Sequence, residues 1–359
     1  MEACINKNGT LVNNSLIVIK NDKKMDASIS MIRMIALLMI ISCHIFQWLG
    51  YEAAFWINLG VQIFFFISGF LYGKKNIKRP IDFYKDKVKK ILLPYMLLVI
   101  IMIFVEKVFI RTSYRKQFLF GTLIGFQGFY GTLNTLSHTW FVSYILICYL
   151  LTPILQKICE KNKNITKSLL MIIVFIQLAQ YYRLTNIISP WIVNYIVGYV
   201  YSAYYNKEPK RERIFLVIII GLAIVTLPFR IILQYNLGNI NVPGIVLENK
   251  ELICQYSHVL LGSSLFIIFY KLFVKIKFIR HNIILKIFDK YSYFIYLTHQ
   301  IFILKEFSLM NLTKFLLLNV LIIFIVSILS GIGLHFIYIL SIKFCGKIRK
   351  YISKVQLIN

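Results

Sequence analysis

The residues with the most chemical content lie in one apolar run, Arg33-Met-Ile-Ala-Leu-Leu-Met-Ile-Ile-Ser-Cys-His44. At about 100° per residue, the eleven steps from Arg33 to His44 make about three full turns, so both side chains share one helix face. The rise between them is roughly 16 Å, about half the hydrocarbon thickness of a bilayer. A guanidinium is a fixed cation and an imidazole exchanges protons near neutral pH. Ionisable groups inside a spanning helix are costly and face protein or water. Two on one face mark a polar channel along a bundle, with Arg33 just inside the cytoplasmic boundary and His44 towards the outer side. The simpler alternatives are Arg33 snorkelling to the inner headgroups and His44 in an interhelical hydrogen bond.

Other polar groups sit in apolar surroundings. Ser292, Tyr296 and His299 fall at i, i+4 and i+7, one face of a helix. They either touch substrate or hydrogen-bond between helices. His138 and Trp140 open a helix at the outer interface, where a Trp ordinarily anchors. Tyr144, one turn further in, reads as packing. Arg230 and His258 lie within later apolar runs, and Glu106, Glu248 and Glu251 lie on the same side. His281 and His335 read as solvated or structural. No His-Glu-x-x-His spacing, Gly-x-Ser-x-Gly elbow or Walker loop occurs. No metal site is expected, and ATP-driven transport by this chain alone has no support. The six cysteines include no Cys-x-x-Cys pair, and a disulfide framework is not expected.

The elements that must position these groups follow from composition. The 359 residues are 58% hydrophobic and 15% charged, which excludes a soluble globular enzyme and a disordered tail protein. Apolar runs of spanning length recur at about 28–48, 54–73, 91–110, 138–156, 168–182, 187–205, 214–235, 252–270, 291–309 and 315–341. The expected fold is therefore an all-α polytopic bundle of about ten spans. The expected organisation is a cytoplasmic segment over 1–27, a membrane domain over 28–341 and a basic cytoplasmic tail over 342–359. The first 27 residues have no signal-peptide core, and the first span is its own targeting signal.

The net charge of +27 reflects topology rather than a nucleic-acid partner. Of 41 Lys and Arg, 31 fall in the two ends and in alternate joining segments, against eight in the segments between. That asymmetry places both termini in the cytoplasm of a multi-pass protein of the cytoplasmic membrane, in contact with the bilayer. The densest run, 74–90, also contacts anionic lipid. The longest outer segment, about 111–137, is expected to cover the outer mouth of a site.

Arg33-x10-His44, followed by the Phe-rich helix Gly60-Val-Gln-Ile-Phe-Phe-Phe-Ile-Ser68-Gly69-Phe70-Leu71, resembles the opening of the acyltransferase-3 family of integral membrane O-acyltransferases. Three further stretches are similar to that family in order. They are Phe83-Tyr84 through Lys89-Lys90-Ile-Leu-Leu-Pro94-Tyr95; His138-Thr-Trp140-Phe141 leading to Tyr149-Leu-Leu-Thr-Pro153; and Ser292-Tyr293-Phe-Ile-Tyr296-Leu-Thr-His299. The likeness covers residues 26–341. Lys87 and Lys90 stand where many members carry Arg, which keeps the charge but loses the bidentate phosphate fork. Some members carry an extracytoplasmic hydrolase-like domain, for which no room is expected here.

The resemblance implies acyl transfer, most often of acetyl from cytoplasmic acetyl-CoA. CoA is then a substrate and no cofactor is permanently bound. The implied acceptor is a hydroxyl of a lipid-linked or surface glycan, with polysaccharide-synthesis or export machinery as a partner. In that scheme Arg33, with Lys87 and Lys90, holds the donor. His44 acts as general base on the acceptor hydroxyl or accepts the acyl group itself. His138, Trp140, Ser292, Tyr296, His299 and Arg230 become substrate contacts, and Ser68, Gly69 and Phe70 shape the neighbouring helix. The rival reading is a glycan exporter or permease built on the same bundle.

Overall fold

The computed structural model describes residues 26–161, 189–235, 243–276 and 282–356. The expected helix at 168–182, Arg183, His281 and the amino end up to residue 25 lie outside the described residues. Helix α1 (Ala27–Trp48) is capped by Asp26, whose carboxylate accepts from the backbone N–H of Ser28 at 3.2 Å and Ile29 at 3.4 Å. A short α2 (Ala53–Ile57) turns the chain into α3 (Leu59–Gly73). Helix α4 (Pro80–Lys87) begins on a proline, whose missing N–H costs nothing in a first turn.

From α4 the chain passes through a π turn, Val88–Leu92, into α5 (Leu93–Val105), and then a second π turn, Glu106–Ile110. Pro94 has no N–H to close the α pattern behind it, and the wider turn relieves that defect. There follow α6 (Lys116–Leu123), α7 (Gln127–Tyr130), a 3-10 turn over Asn134–Thr139 and α8 (Trp140–Lys161). The later helices are α9 (Ser189–Ala203), α10 (Pro209–Tyr235), α11 (Gly244–Glu248), α12 (Lys250–Lys275), α13 (Ile283–Thr298) and α14 (Leu316–Gln356).

No strand occurs among the described residues, and seven helical stretches there are long and apolar enough to cross a membrane. Helices α9 and α13, with 15 and 16 residues, fall below that length. The chain is an all-α, multi-pass membrane bundle.

Four boundaries differ from the sequence expectation. The third span starts at Pro80, not near 91, because its charged first turns are helical too. The ninth helix covers Ile283–Thr298, not 291–309, capped by the Asn282 side chain accepting from Ile284 N–H at 2.8 Å. Its charged first turns, which hydropathy assigns to a loop, are helical, and its end tightens to a 3-10 turn over His299–Phe302. The last helix runs on to Gln356, through most of the expected tail.

The fourth difference is the segment 111–137, whose middle turns back into the bundle. The Tyr95 hydroxyl donates to the Thr122 carbonyl at 2.8 Å, and Gly125 packs against Leu92 and Leu146. Leu92 lies about 20 Å of helical rise before Glu106. Glu106 is fully buried and ties both ends of the excursion, accepting from the Tyr114 hydroxyl, the Thr135 hydroxyl and, at 3.0 Å, the Thr135 N–H. Residues 117–134 carry no charge, so the segment can enter. Non-helical backbone at that depth is tolerated where protein surrounds it, and Gly125 and Gly131 supply positive φ at 85° and 106°.

Helix α3 is the centre of the bundle. Phe65 faces one apolar cluster with Tyr95, Phe141 and Tyr195, while Ile63, Phe66 and Phe70 face another with Tyr201 and Phe266. Its contact with α9 is backbone on backbone. A Cβ on Gly69 would overlap the Tyr195 carbonyl oxygen and lie 2.8 Å from the Tyr199 nitrogen, and Gly73 and Gly198 face the opposite helix in the same way. Gly69-x-x-x-Gly73 thus works as a close-packing seam. Ser68 beside it is half-buried and Phe70 fully buried.

Gly69→Ala should cost at least about 2 kcal/mol, since only helix displacement makes room. Gly221→Ala, where a Cβ meets nothing within 4 Å, should be neutral or slightly stabilising. Unfolding midpoints of the purified variants in detergent test the contrast; equal midpoints would show that the α3–α9 contact is not tight.

Candidate active site

Three histidine rings meet at one end of the bundle. His44 comes from the last turns of α1, His138 from the 3-10 turn ahead of α8, and His299 from the turn that ends α13. Ring centroids are 5.2 Å apart for His44–His299, 4.8 Å for His138–His299 and 6.4 Å for His44–His138. His138 and His299 are buried, and His44 is half-buried.

Gln300 organises the cluster. Its Oε1 accepts from the His138 backbone N–H at 2.9 Å and the Ser137 hydroxyl at 2.8 Å, which fixes the orientation of the amide. The same oxygen lies 2.8 Å from His138 Nδ1, and the amide nitrogen lies 3.3 Å from His44 Nδ1. His138 Nε2 meets the Leu297 carbonyl at 3.1 Å. Both ring nitrogens of His138 therefore face oxygen, and a neutral ring donates to only one of them.

The other two rings each keep a free nitrogen. His299 Nδ1 lies 2.6 Å from the Tyr296 carbonyl, a contact only an N–H can make, which assigns the lone pair to Nε2. That Nε2 is buried with no hydrogen-bond partner. His44 Nδ1 lies 2.6 Å from Gln47 Oε1 and 3.3 Å from the Gln300 amide nitrogen, and no described hydrogen bond reaches its Nε2; with the proton on Nδ1, donated to Gln47, the lone pair is on Nε2. Of the two rings with a free Nε2, His44 is the one open enough to meet a reactant. An imidazole in this state can take a proton from a hydroxyl or attack an acyl carbon.

Arg33, at the opposite end of α1, pairs with Asp289 of α13, and Ser30 donates to the same carboxylate oxygen at 3.0 Å. The Arg33 side chain remains 20% exposed, so it is accessible as well as paired. Asp289 to His299 spans ten residues of α13, against eleven from Arg33 to His44 in α1. The two helices therefore run parallel and meet at matched heights, about 15 and 16 Å along each.

Lys87 is buried. Its ammonium bonds the Tyr72 hydroxyl and Asp86, and sits 4.7 to 5.3 Å from the Tyr72, Phe83 and Tyr149 ring centroids. It lines a cleft of about 500 Å³ with Lys75, Lys78 and Arg79. Lys90 reaches Asp86 at 2.7 Å from outside, 69% exposed, and does not line that cleft.

The remaining candidates divide. Tyr296 belongs to the histidine cluster, but its hydroxyl donates to the His138 carbonyl at 2.6 Å and so braces the site. Trp140 instead stacks on Trp191, centroids 4.0 Å apart, while Tyr144 packs edge-on to both rings. Ser292 is buried one turn before Tyr296, and no described hydrogen bond joins it to the histidines. Arg230 lies elsewhere, against Phe55 and Trp56. Glu106 braces the re-entrant segment rather than a histidine, and Glu248 and Glu251 are exposed. His335 is wedged between the rings of Tyr291 and Phe294.

Sequence reasoning missed Gln47, Gln300 and Asp289. The amides are uncharged, and Asp289 sits in a stretch that reads as a charged loop. The signal available for Asp289 was its place ten residues before His299. Among the described residues no group of three His, Cys, Asp or Glu is disposed to hold a metal.

Comparison with known proteins now bears on this geometry. No solved structure matches the chain. It is similar to proteins of Staphylococcus aureus strains MRSA252, Mu50 / ATCC 700699 and MSSA476, each named as a probable poly-beta-1,6-N-acetyl-D-glucosamine export protein. Identity is 26% over 296 residues, 77% of this chain and 78% of each relative. The family model described as an acyltransferase domain matches residues 26–338, a stretch that takes in Arg33, Asp289 and all three clustered histidines. The chain belongs to the acyltransferase-3 family of integral membrane acyltransferases.

Proposed function

We propose that the chain moves an acyl group, acetyl in the first instance, from cytoplasmic acyl-CoA to a hydroxyl of an exported or cell-envelope polysaccharide or of its lipid-linked precursor. The observation that carries this reading is the half-buried His44, with its Nε2 free, backed by His299, His138 and Gln300. The orientation follows the charge asymmetry: ten spans, both termini cytoplasmic, and Arg33 with the Lys87 cleft on the donor side.

In the direct route, His44 Nε2 takes the proton of the acceptor hydroxyl as the oxygen attacks the thioester carbonyl. The C–S bond breaks, the acyl C–O bond forms, and the thiolate of CoA leaves and takes up a proton. In the two-step route His44 Nε2 attacks first, CoA leaves as thiolate, and the hydroxyl then attacks the acyl-imidazole. As the N–acyl bond breaks, the released His44 Nε2 takes that hydroxyl proton. Asp289 holds one nitrogen of Arg33 and leaves the rest of the guanidinium for the polar arm or phosphates of the donor. The basic cleft at Lys87 attracts the anionic nucleotide end.

Export of an unmodified glycan is the second reading, favoured by the names of the Staphylococcus relatives. The two readings part at His44. Surface-glycan acetyl content should fall to background in a deletion strain, return with the wild-type chain, and stay at background with His44→Ala at matched membrane level. Full acetylation with His44→Ala would overturn the mechanism. Unchanged acetylation with glycan retained inside the deletion strain would favour export.

The ion pair supplies a separate test. Asp289→Asn should lower stability by about 1–3 kcal/mol, because it strands a half-buried guanidinium that is partly screened by water. The exchange Arg33→Asp with Asp289→Arg should recover the unfolding midpoint but not turnover. Full turnover in the exchanged protein would show that Arg33 does nothing beyond joining two helices.

A further inference from the structure

A second polar cluster lies on the other side of α1 and α2 from the histidines. The Cys43 thiol donates to the Ala54 carbonyl at 3.2 Å, seating α2 against α1 next to His44. The following residue, Phe55, meets Arg230 of α10, whose guanidinium lies 4.6 Å from the Phe55 ring centroid and 4.1 Å from that of Trp56. Trp56 is held in turn by its ring N–H donating to the Tyr235 hydroxyl at 2.8 Å. On α12, the His258 ring packs 5.1 Å from the same Phe55 ring.

Arg230 is fully buried. Its single described hydrogen bond is a long one, from Nη2 to the Phe55 carbonyl at 3.4 Å. Nε and Nη1 are buried with no acceptor, and so are His258 Nε2 and Ser257 Oγ with no partner. No ion pair to Arg230 occurs among the described residues. The contrast within one bundle is direct: Arg33, at 20% exposure, has a carboxylate, while the more deeply buried Arg230 has none.

A guanidinium does not lose its proton to escape burial. Stacking on two rings satisfies its faces and leaves its in-plane N–H groups unspent. Those groups suit a phosphoryl or carboxylate group, which accepts in the guanidinium plane. His258 packs on the same Phe55 ring that the Arg230 guanidinium meets, and Ser257 is the residue before it on α12. Phe55 is 38% exposed and opens the cluster towards the surface at the His44 end of α1.

We propose that Arg230, His258 and Ser257, framed by Phe55 and Trp56, form an anion site that takes a phosphoryl or carboxylate group of the acceptor. Assigning the anion to the acceptor rests on the acyl-transfer reading; the binding itself does not. Two sources share this chemistry, the phosphate of a lipid carrier and the carboxylate of an acidic sugar.

The test uses the full chain in phosphatidylcholine nanodiscs, titrated separately with farnesyl diphosphate and with galacturonate while the unfolding midpoint and tryptophan fluorescence are followed. At least one probe should raise the midpoint of the wild-type chain and of His44→Ala alike. Arg230→Met should weaken that probe about 10- to 100-fold, the span expected for losing a charged hydrogen-bonded contact. Should Arg230→Met fail to accumulate, Arg230→Lys, which keeps the charge and loses the planar fork, is read the same way. Preference for farnesyl diphosphate supports a carrier phosphate, and preference for galacturonate an acidic sugar. The proposal is overturned if neither probe shifts the wild-type midpoint, or if the shift persists at full strength in the Arg230 variants. Binding that survives in His44→Ala while acetylation is independent of His44 would sink the acyl-transfer reading and leave the anion site standing.

Discussion

Two contacts between α1 and α13 fix the geometry on which the site depends. The Arg33–Asp289 ion pair sits at one end and the His44–His299 ring contact at the other. Because the separations are eleven and ten residues, parallel helices can satisfy both only in one register. A slip of one residue would rotate a helix by about 100° and take one ring away from the other. A partly buried ion pair marks register, since leaving either charge unpaired costs free energy even where water screens it in part. The position of His44 is thus set in part by a charge about three helical turns away.

Outside the Arg230 cluster, several buried polar groups are tied to backbone or to a neighbour across a helix gap. Asn194 of α9 donates to the Gln62 carbonyl of α3 at 2.6 Å and accepts from Ser263 of α12 at 2.8 Å, linking these three helices. Glu106 binds both ends of the re-entrant segment, and Tyr296 spends its hydroxyl on the His138 carbonyl. These ties hold the backbone of the 3-10 turn at 134–139, so His138 can stand opposite His299 without belonging to a regular helix. The glycine seam between α3 and α9 does comparable work for the apolar part, bringing backbones into contact where side chains would hold them apart.

Much of this was legible in one dimension. Apolar length announces the spans, and the spacing of Arg33 and His44 puts both on one face whatever the neighbours are. His138 and His299 could be named as candidates but not joined, because 161 residues separate them and only tertiary packing closes that gap. Asp289 was hidden by its surroundings: in a window full of Lys, hydropathy reads a loop, although the residues are helical. Gln300 was hidden by its neutrality, since an amide carries no charge or periodicity to mark it. The re-entrant segment combined both difficulties, having Gly and polar residues typical of a loop and, over 117–134, the uncharged composition of membrane-embedded chain.

Size weighs on the choice between transfer and export. Between the levels of Arg33 and His44 the interior around α3 is packed with Phe65, Tyr95, Phe141 and Tyr195, all buried. A two-carbon acyl group on the narrow pantetheine arm of its donor needs a path one chain wide, whereas a hexose needs helices to part. Parting α1 from α13 would break the partly exposed Arg33–Asp289 pair and the histidine contact together. Parting α3 from α9 would open a backbone seam that holds the bundle centre. The contacts that define the site are therefore the ones that a glycan-wide path along these helices would sacrifice. Moving a small acyl group towards an acceptor that stays on the far side asks much less of the same bundle.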